Sequence, residues 1–221
     1  MADHPDLRVR GRARTIRSGL LVHRLLRRPS QTLMLFSGRS NPALAEAISH
    51  RLGVGVGAVE LETFANGEVY CRYGESVRGA DVFVVQSGSP PVNDHLLELL
   101  LMIDAARLAS AHRITAVLPL FPYARQDKKS APREPISARL VATMLQAAGT
   151  DRIQTMDLHA GQIQGFFAIP VDHMTALPLF AGHFRRLGLR GAGVVSVSPD
   201  LGRVRSIALA DNPSPARAYS G

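Results

Sequence analysis

The sequence has one cysteine, Cys71, among its 221 residues. A lone cysteine cannot form a disulfide within the chain, so nothing here requires an oxidising compartment, and no Cys/His spacing is typical of a zinc site. The longest apolar stretch, residues 96–103, is interrupted by Glu98 and is far shorter than the roughly 20 residues that span a bilayer. We therefore expect a cytoplasmic protein with no membrane segment.

Three common catalytic or nucleotide-binding motifs are also absent. The chain contains no GxxxxGK[ST] sequence, which excludes a P-loop kinase. Gly53, Gly55 and Gly57 have the wrong spacing for a dinucleotide fingerprint, and we interpret them as a turn between a helix and a strand. Ser37 and Gly38 lack the GxSxG context of a hydrolase, so the sequence gives no support for a serine nucleophile.

Basic residues outnumber acidic ones, but the excess is concentrated at one end. Of the net charge of +8, residues 1–30 contribute +6 through eight arginines and two aspartates. We predict that residues 1–32 form a disordered basic extension, although an apolar stripe (Ile16, Leu20, Leu21, Leu25) leaves a membrane-surface or targeting role open. Because the rest of the chain carries only +2, we expect neither nucleic acid nor membrane as a partner of the folded part.

From Leu33 onward, short apolar runs alternate with segments of helical period, which predicts an α/β fold with a parallel sheet. The predicted strands cover residues 33–36, 58–63, 69–73, 81–86, 114–119, 152–156 and 193–197. Residues 211–221, rich in proline and serine, are predicted to be irregular.

Two helices have recognisable features. Asn41 and Pro42 fit the N-cap and first position of a helix that runs to Leu52 and is ended by Gly53. A second helix is predicted to begin near Asn93 and to direct these residues towards the core: Leu96, Leu97, Leu100, Leu101, Ile103 and Leu108.

The segment after the predicted 114–119 strand, LFPYARQDKKSAPREP, combines four basic side chains with prolines: Arg125, Lys128, Lys129 and Arg133. Ligands of parallel sheets bind beyond the carboxyl ends of the strands, and basic side chains there can neutralise phosphate oxygens. A solvated basic loop with no ligand is about as well supported by the residues alone.

The segment after the 152–156 strand, DLHAGQIQGFFAIPVD, brings two carboxylates and an imidazole into one motif. Asp157 and Asp172 are suitable ligands for a magnesium ion that carries phosphates, with His159 acting directly or through water. By composition alone, a buried, hydrogen-bonded structural histidine is the better-supported interpretation of His159. A third segment, SVSPD, ends in Asp200, which is either a ligand-facing acid or a turn residue.

Taken together, these segments resemble the ribose-phosphate diphosphokinase (phosphoribosyl pyrophosphate synthetase) family over about residues 33–202. The motifs that carry the resemblance are FANGE at 64–68, GESVRGADVFVVQSG at 74–88, FPYARQDKK at 121–129, PISARLVATML at 135–145 and DLHAGQIQGFFAIPVD at 157–172.

The resemblance implies a two-domain α/β enzyme, each domain a three-layer structure similar to the type I phosphoribosyltransferase fold. Such enzymes transfer the diphosphoryl group of ATP to ribose 5-phosphate and require Mg²⁺. On this basis we assign residues 33–188 to the N-terminal domain, and residues 189–221 to the start of a truncated second domain with an irregular tail.

The resemblance also implies roles for individual residues. ATP would be contacted by Arg125, Gln126 and Asp127, and across a subunit interface by Phe64, Asn66 and Glu68. The metal region would contain Asp157, His159 and Asp172, the sugar-phosphate side Asp200, and a regulatory phosphate or ADP would contact Arg78.

The sequence departs from the family pattern in ways that affect catalysis. The family's second domain supplies a mobile basic loop and a sugar-phosphate loop of adjacent acids followed by Thr-x-Gly-Thr, and this sequence has neither adjacent carboxylates nor TxGT. Ala168 and Ser130 stand where relatives often have acids. We therefore assign no catalytic residue and expect the chain by itself to be inactive.

Three roles remain compatible with the sequence. In the first, the chain is a homo-oligomeric enzyme that uses ribose 5-phosphate only if the missing half comes from elsewhere. In the second, it is a non-catalytic nucleotide-binding subunit that associates with complete synthetase. In the third, it is a truncated remnant.

Overall fold

A computed structural model of the chain describes residues 32–189. Of the predicted basic extension only Thr32 is described, and the predicted 193–197 strand, Asp200 and the irregular 211–221 segment lie outside the described residues. The elements, in chain order, are β1 (Leu33–Ser37), α1 (Pro42–Leu52), β2 (Val59–Thr63), β3 (Val69–Tyr73), β4 (Asp81–Val85), α2 (Val92–Leu108), β5 (Arg113–Leu118), α3 (Ser137–Ala148), β6 (Arg152–Met156), a 3₁₀ helix (Gly161–Phe166), β7 (Val171–Met174) and α4 (Leu177–Arg186).

Five strands form the main sheet in the order β1-β4-β5-β6-β7, and each neighbouring pair is parallel. Alternate side chains point to opposite faces of this sheet. Val82 and Val84 join a core cluster with α2 and α3, whereas Leu35 and Val85 pack with Ala45 of α1 on the other face. Helices therefore cover both faces, and the predicted three-layer α/β fold is confirmed.

The remaining two strands, β2 and β3, form an antiparallel hairpin that is a separate two-stranded sheet. The hairpin packs against α2, because the Tyr73 hydroxyl donates to the Met102 carbonyl at 2.8 Å and the Tyr73 ring meets Phe36 edge-on at 4.6 Å. Residues 59–73 therefore pack on the helical layer and are not part of the main sheet.

The first helix has the bounds that the sequence predicts. The Asn41 Oδ1 accepts a hydrogen bond from the Leu44 N–H at 3.2 Å, and Pro42 occupies the first turn. Gly53 ends the helix at φ 68°, a left-handed conformation that glycine adopts without a Cβ clash.

The second helix corrects one prediction. Its buried face consists of Leu96, Glu98, Leu99, Met102, Ile103 and Ala106. Leu97 is 50% exposed and Leu108 is 77% exposed, so the prediction that both face the core was wrong. The nearly continuous leucines of residues 96–101 obscure the helical period, and only the contacts in the folded chain select the buried face.

Six predicted strands occur within one residue of their predicted bounds, but β7 was not predicted. It begins with the last two residues of the DLHAGQIQGFFAIPVD motif, and Asp172 and His173 interrupt its apolar character. Among residues 32–189, no helix is long and apolar enough to cross a membrane.

Candidate functional site

The two motif-bearing loops leave the same edge of the sheet. Because β5 and β6 are parallel neighbours, their carboxyl ends are adjacent, and the segments that follow them, residues 119–136 and 157–160, begin side by side. We call these the β5 loop and the β6 loop. The sequence reasoning that sought chemistry at strand ends therefore identified two neighbouring segments.

A buried carboxylate connects the β5 loop to the 3₁₀ helix that follows the β6 loop. Asp127 is only 6% exposed, and its Oδ2 accepts a hydrogen bond from Gln162 Nε2 at 2.6 Å. Asp127 therefore lies beneath the surface, while Arg125, Lys128 and Lys129 of the same loop are exposed. The cationic side chains are free to meet an anion on a loop that the Asp127 contact holds in place.

Gln126 is exposed, but hydrogen bonds with the start of α3 position it. The Ser137 hydroxyl donates to Gln126 Oε1 at 2.6 Å, and the Ala138 N–H donates to the Gln126 carbonyl at 3.1 Å. The part of the β5 loop around Gln126 and Asp127 is therefore attached to α3 on one side and to the 3₁₀ helix on the other.

The outer part of the β5 loop is organised by Glu134. Its Oε2 accepts hydrogen bonds from the backbone N–H groups of Ser130 and Ala131 at 2.7 and 2.9 Å. These bonds favour the charged carboxylate, the bond from Ala131 most strongly, and they lower the pKa of Glu134 below its ordinary value.

Three residues of these loops have left-handed backbone conformations, Tyr123 at φ 57°, Arg133 at φ 71° and Asp157 at φ 46°. Such conformations cost non-glycine residues on the order of 1–3 kcal/mol and tend to occur at functional sites. Tyr123 is held by a hydrogen bond from its hydroxyl to Asn93 Oδ1 near the start of α2. Asp157 is held through Thr175 Oγ1 and the Ala176 N–H, which donate to its Oδ1 and Oδ2 at 2.7 and 3.1 Å.

Magnesium, which the family resemblance implies, fits part of the predicted ligand set. Asp157 and His159 are exposed after β6 and offer the oxygen and nitrogen donors expected beside a hydrated, phosphate-bearing ion. Asp172 instead forms an ion pair with Arg152, whose Nη1 lies 2.8 and 2.9 Å from its two carboxylate oxygens. Within residues 32–189, no three His, Cys, Asp or Glu side chains are close enough together to hold a metal ion by themselves.

A histidine that was not predicted to matter supports the β6 loop. His173 Nε2 accepts a hydrogen bond from the Leu158 N–H at 3.0 Å. The contact fixes the backbone between Asp157 and His159.

The residues predicted to contact adenine lie at the tip of the β2–β3 hairpin. The Phe64 N–H donates to the Glu68 carbonyl at 2.8 Å, and the Glu68 N–H donates to Asn66 Oδ1 at 3.1 Å. The Phe64 ring is half exposed, 6.0 Å from the Tyr70 ring. Within residues 32–189, no hydrogen bond joins this tip to the β5 or β6 loop, so the structure does not bring the two groups of predicted ATP contacts together in one chain.

A cleft of about 250 Å³ lies between the hairpin and the start of α2, and we call it the hairpin cleft. Its lining residues come from the segment after β1, the hairpin and the start of α2: Arg39, Thr63, Gly67, Val69, Pro91, Asp94 and His95.

Arg78, the predicted regulatory contact, lies away from these loops. It is exposed in the turn that precedes β4, at the amino edge of the sheet, where the Gly79 N–H donates to the Ser110 carbonyl at 2.8 Å. The predicted roles of Arg78 and of the ATP and metal contacts stay predictions.

Sequence reasoning missed two other polar side chains, Gln86 and Glu98, which are 1% and 0% exposed. A signal for Glu98 was present, because a charge within a leucine-rich helix needs buried partners. Those partners, Arg39 and Gln86, are 59 and 12 residues away in sequence, so their identity required the fold.

Comparison with known proteins agrees with this architecture. A family model described as the N-terminal domain of ribose phosphate pyrophosphokinase matches residues 33–149. The ribose-phosphate pyrophosphokinase of Corynebacterium efficiens is 56% identical over 176 residues, which are 79% of this chain and 54% of the relative. That of Fusobacterium nucleatum is 54% identical over 171 residues, 77% of this chain and 54% of the relative.

A crystal structure of phosphoribosylpyrophosphate synthetase from Mycobacterium smegmatis is also similar, with a TM-score of 0.69 and 56% identity over 71% of this chain and 52% of that one. The chain spans about half the length of the curated relatives it matches. On the match of a family model to more than half of its residues and on these identities, the chain belongs to the ribose-phosphate pyrophosphokinase family.

Proposed function

We propose that this chain forms the ATP-binding half of a ribose-phosphate diphosphokinase, which converts ATP and ribose 5-phosphate into phosphoribosyl pyrophosphate and AMP. The observation that carries the proposal is the contact between Asp127 and Gln162, which joins the cationic β5 loop to the segment that follows the β6 loop. Arg125, Lys128 and Lys129 are exposed on the β5 loop, and Asp157 has an exposed carboxylate on the β6 loop that begins beside it. Opposite charges on adjacent loops suit a ligand that carries both phosphates and a divalent cation.

In this proposal the described residues bind and orient the nucleotide. Arg125 neutralises phosphate oxygens with its guanidinium, and Gln126, held by Ser137, offers an amide to the same group. Phe64, Asn66 and Glu68 contact the adenine of a nucleotide bound to a neighbouring copy of the chain, which accounts for the lack of a contact between the hairpin tip and the loops of its own chain.

Mg²⁺ would be held by Asp157 and His159 together with the phosphates, and it would neutralise charge that develops on them. Asp172 has a structural role in this scheme, because Arg152 engages both of its oxygens. The reaction itself is an attack by the anomeric hydroxyl of ribose 5-phosphate on the β-phosphorus of ATP. The bond from that phosphorus to the α-phosphate oxygen breaks, the hydroxyl loses its proton, and AMP leaves.

We further propose that residues 1–221 bind ATP without turning it over by themselves. The support is that these residues contain no adjacent carboxylates and no TxGT motif to hold the sugar phosphate. Association with a complete synthetase would supply those groups, and this makes a nucleotide-binding partner subunit the second candidate function.

The first test is calorimetric titration of the chain with ATP in the presence of magnesium. Arg125→Ala should weaken ATP binding at least about tenfold, since hydrogen bonds to charged groups contribute about 1.5–3 kcal/mol. Arg113→Ala is the matched control, because Arg113 begins β5 at the opposite edge of the sheet, and it should stay within about twofold of the unsubstituted chain by the same reasoning. Equal losses in the two variants would contradict the proposed phosphate site.

A second assay separates the candidate functions. AMP release from ATP and ribose 5-phosphate is measured with the chain alone and mixed with a complete synthetase. AMP release by the chain alone would contradict the proposal that it lacks turnover. The partner-subunit function is supported if the chain binds ATP, releases no AMP by itself, and alters AMP release by the complete synthetase in the mixture. A folded chain that does not bind ATP would favour a remnant.

A further inference from the structure

Glu98 carries a carboxylate in the middle of α2 and is 0% exposed. A buried carboxylate is tolerated only when charge and hydrogen bonds compensate it. Its Oε1 accepts from the Arg39 backbone N–H and from Gln86 Nε2, each at 2.7 Å, and its Oε2 accepts from Arg39 Nε. Glu98 therefore fixes both the backbone and the side chain of Arg39.

Gln86, at the carboxyl end of β4, reinforces this arrangement. Its Oε1 accepts from the Ser40 N–H at 3.0 Å, and its Nε2 also donates to the His95 carbonyl at 3.1 Å. The segment after β1 is thus attached to α2 and to the end of β4 by two buried side chains.

The other end of the Arg39 guanidinium reaches the hairpin. Arg39 Nη1 donates to Thr63 Oγ1 at 2.9 Å. Thr63 is the last residue of β2 and directly precedes Phe64. A guanidinium has donors on several sides of one rigid plane, so it can bind Glu98 and Thr63 at once, whereas a lysine ammonium could not span them in the same geometry.

We propose that Arg39 is a positioning residue that sets the orientation of the hairpin tip. Glu98 holds Arg39 in place, and Thr63 accepts the hydrogen bond through which Arg39 positions the tip. An isolated two-stranded hairpin is marginally stable. This hairpin packs Val59, Leu61 and Cys71 against the main core, and two side-chain hydrogen bonds attach it further: Tyr73 to the Met102 carbonyl towards its open end and Arg39 to Thr63 beside its tip. The inference rests on the proposed function, in which Phe64, Asn66 and Glu68 contact adenine. Arg39 then governs affinity for the purine part of the ligand and leaves affinity for its phosphates unaffected.

The test removes the attachment at its exposed end, where the fold is least at risk. Thr63→Val keeps the β-branched shape and loses the acceptor oxygen, and Thr63→Ser restores an oxygen. The Thr63→Val variant should bind MgATP about three- to tenfold more weakly, as expected for one hydrogen bond of about 0.5–1.5 kcal/mol, while Thr63→Ser binds as the unsubstituted chain does. Inorganic tripolyphosphate should bind all three proteins equally, and their free energies of unfolding should differ by no more than about 1.5 kcal/mol, the contribution of one hydrogen bond.

Two outcomes would overturn the inference: equal ATP affinity of Thr63→Val and Thr63→Ser, or a parallel loss of tripolyphosphate affinity. Arg72→Gln serves as a control within the same hairpin, because it removes the exposed ion pair with Glu60 near the open end and leaves the Arg39 attachment intact. It should bind ATP unchanged.

Failure of the proposed function is detected separately. If the unsubstituted chain does not bind ATP, amide hydrogen exchange of residues 64–69 decides the inference. Thr63→Val should accelerate exchange of the Phe64 and Gly67 amides, whose hydrogen bonds are 2.8 Å long, and leave α3 unchanged. Unaltered exchange at the tip would overturn the positioning role whatever the chain binds.

Discussion

At the scale of single residues, two buried carboxylates do most to organise the candidate site. Glu98 holds the segment after β1, and Asp127 holds the β5 loop through Gln162. Both carboxylates are buried and accept hydrogen bonds from side chains of other elements. We therefore interpret Asp127, which family resemblance assigns to ATP binding, as a residue that positions Arg125 and Gln126.

Replacing the partner of Asp127 tests this interpretation. Gln162→Leu leaves the buried carboxylate without its amide donor and should lower the free energy of unfolding by about 2 kcal/mol. Gln164→Leu in the same 3₁₀ helix removes only exposed hydrogen bonds, 3.2 Å to the Gly161 carbonyl and 3.4 Å to His173 Nδ1, and should lower it by less than about 0.5 kcal/mol. Urea unfolding of both variants measures the difference, and equal values would argue against a buried, paired Asp127.

At the scale of elements, the hairpin packs on α2, and the reactivity of Cys71 measures whether this packing is maintained. Burial against α2, with a smaller contribution from the Glu98 charge, raises the pKa of the Cys71 thiol from 9.0 to about 11. The neutral thiol is therefore the favoured form in the folded chain, and the thiolate appears only as the pH rises towards 11.

Alkylation of this single cysteine should accordingly be slow. At pH 8 the folded chain should react with iodoacetamide about a hundredfold more slowly than the urea-unfolded chain, because only the thiolate is nucleophilic. The rate should rise about tenfold per pH unit until it levels near the raised pKa. A folded chain that reacts as fast as the unfolded one would show that the hairpin does not remain packed on α2.

The elements also show where sequence reasoning succeeds. The caps of α1 and the apolar runs of β1, β4, β5 and β6 are local signals, and each element formed as predicted. β7 was missed because Asp172 and His173 interrupt the apolar pattern of a four-residue strand in which no residue is fully buried. The contacts of Glu98 and Asp127 were missed because their partners are as far as 59 and 35 residues away, and no local pattern reports such a pairing.

At the scale of the whole molecule, stability is unevenly distributed along the described residues. The central strands β4 and β5 and the helices α2 and α3 supply most of the main core cluster. By contrast, none of the ten residues of α4 is buried, and Leu179, Phe180 and Phe184 are about half exposed or more. Local opening is easiest where few apolar contacts must be broken.

Hydrogen exchange in the native state should reveal this gradient. The amides of α4 should exchange at least about tenfold faster than those of α3, a helix of similar length with four buried residues. Mass spectrometry of peptic fragments provides the comparison within one sample. Equal protection of the two helices would contradict the predicted gradient and would mean that other parts of the chain, or a partner, cover α4.

The separate two-stranded sheet also affects the solubility of the chain. Within residues 32–189, β2 and β3 pair only with each other, so each presents an outer edge with backbone groups that another chain could extend. Charged side chains on edge strands discourage such pairing, and this hairpin carries Glu60, Glu62 and Arg72 along its short strands. The same charges that contribute little to folding thus protect the chain from edge-to-edge aggregation.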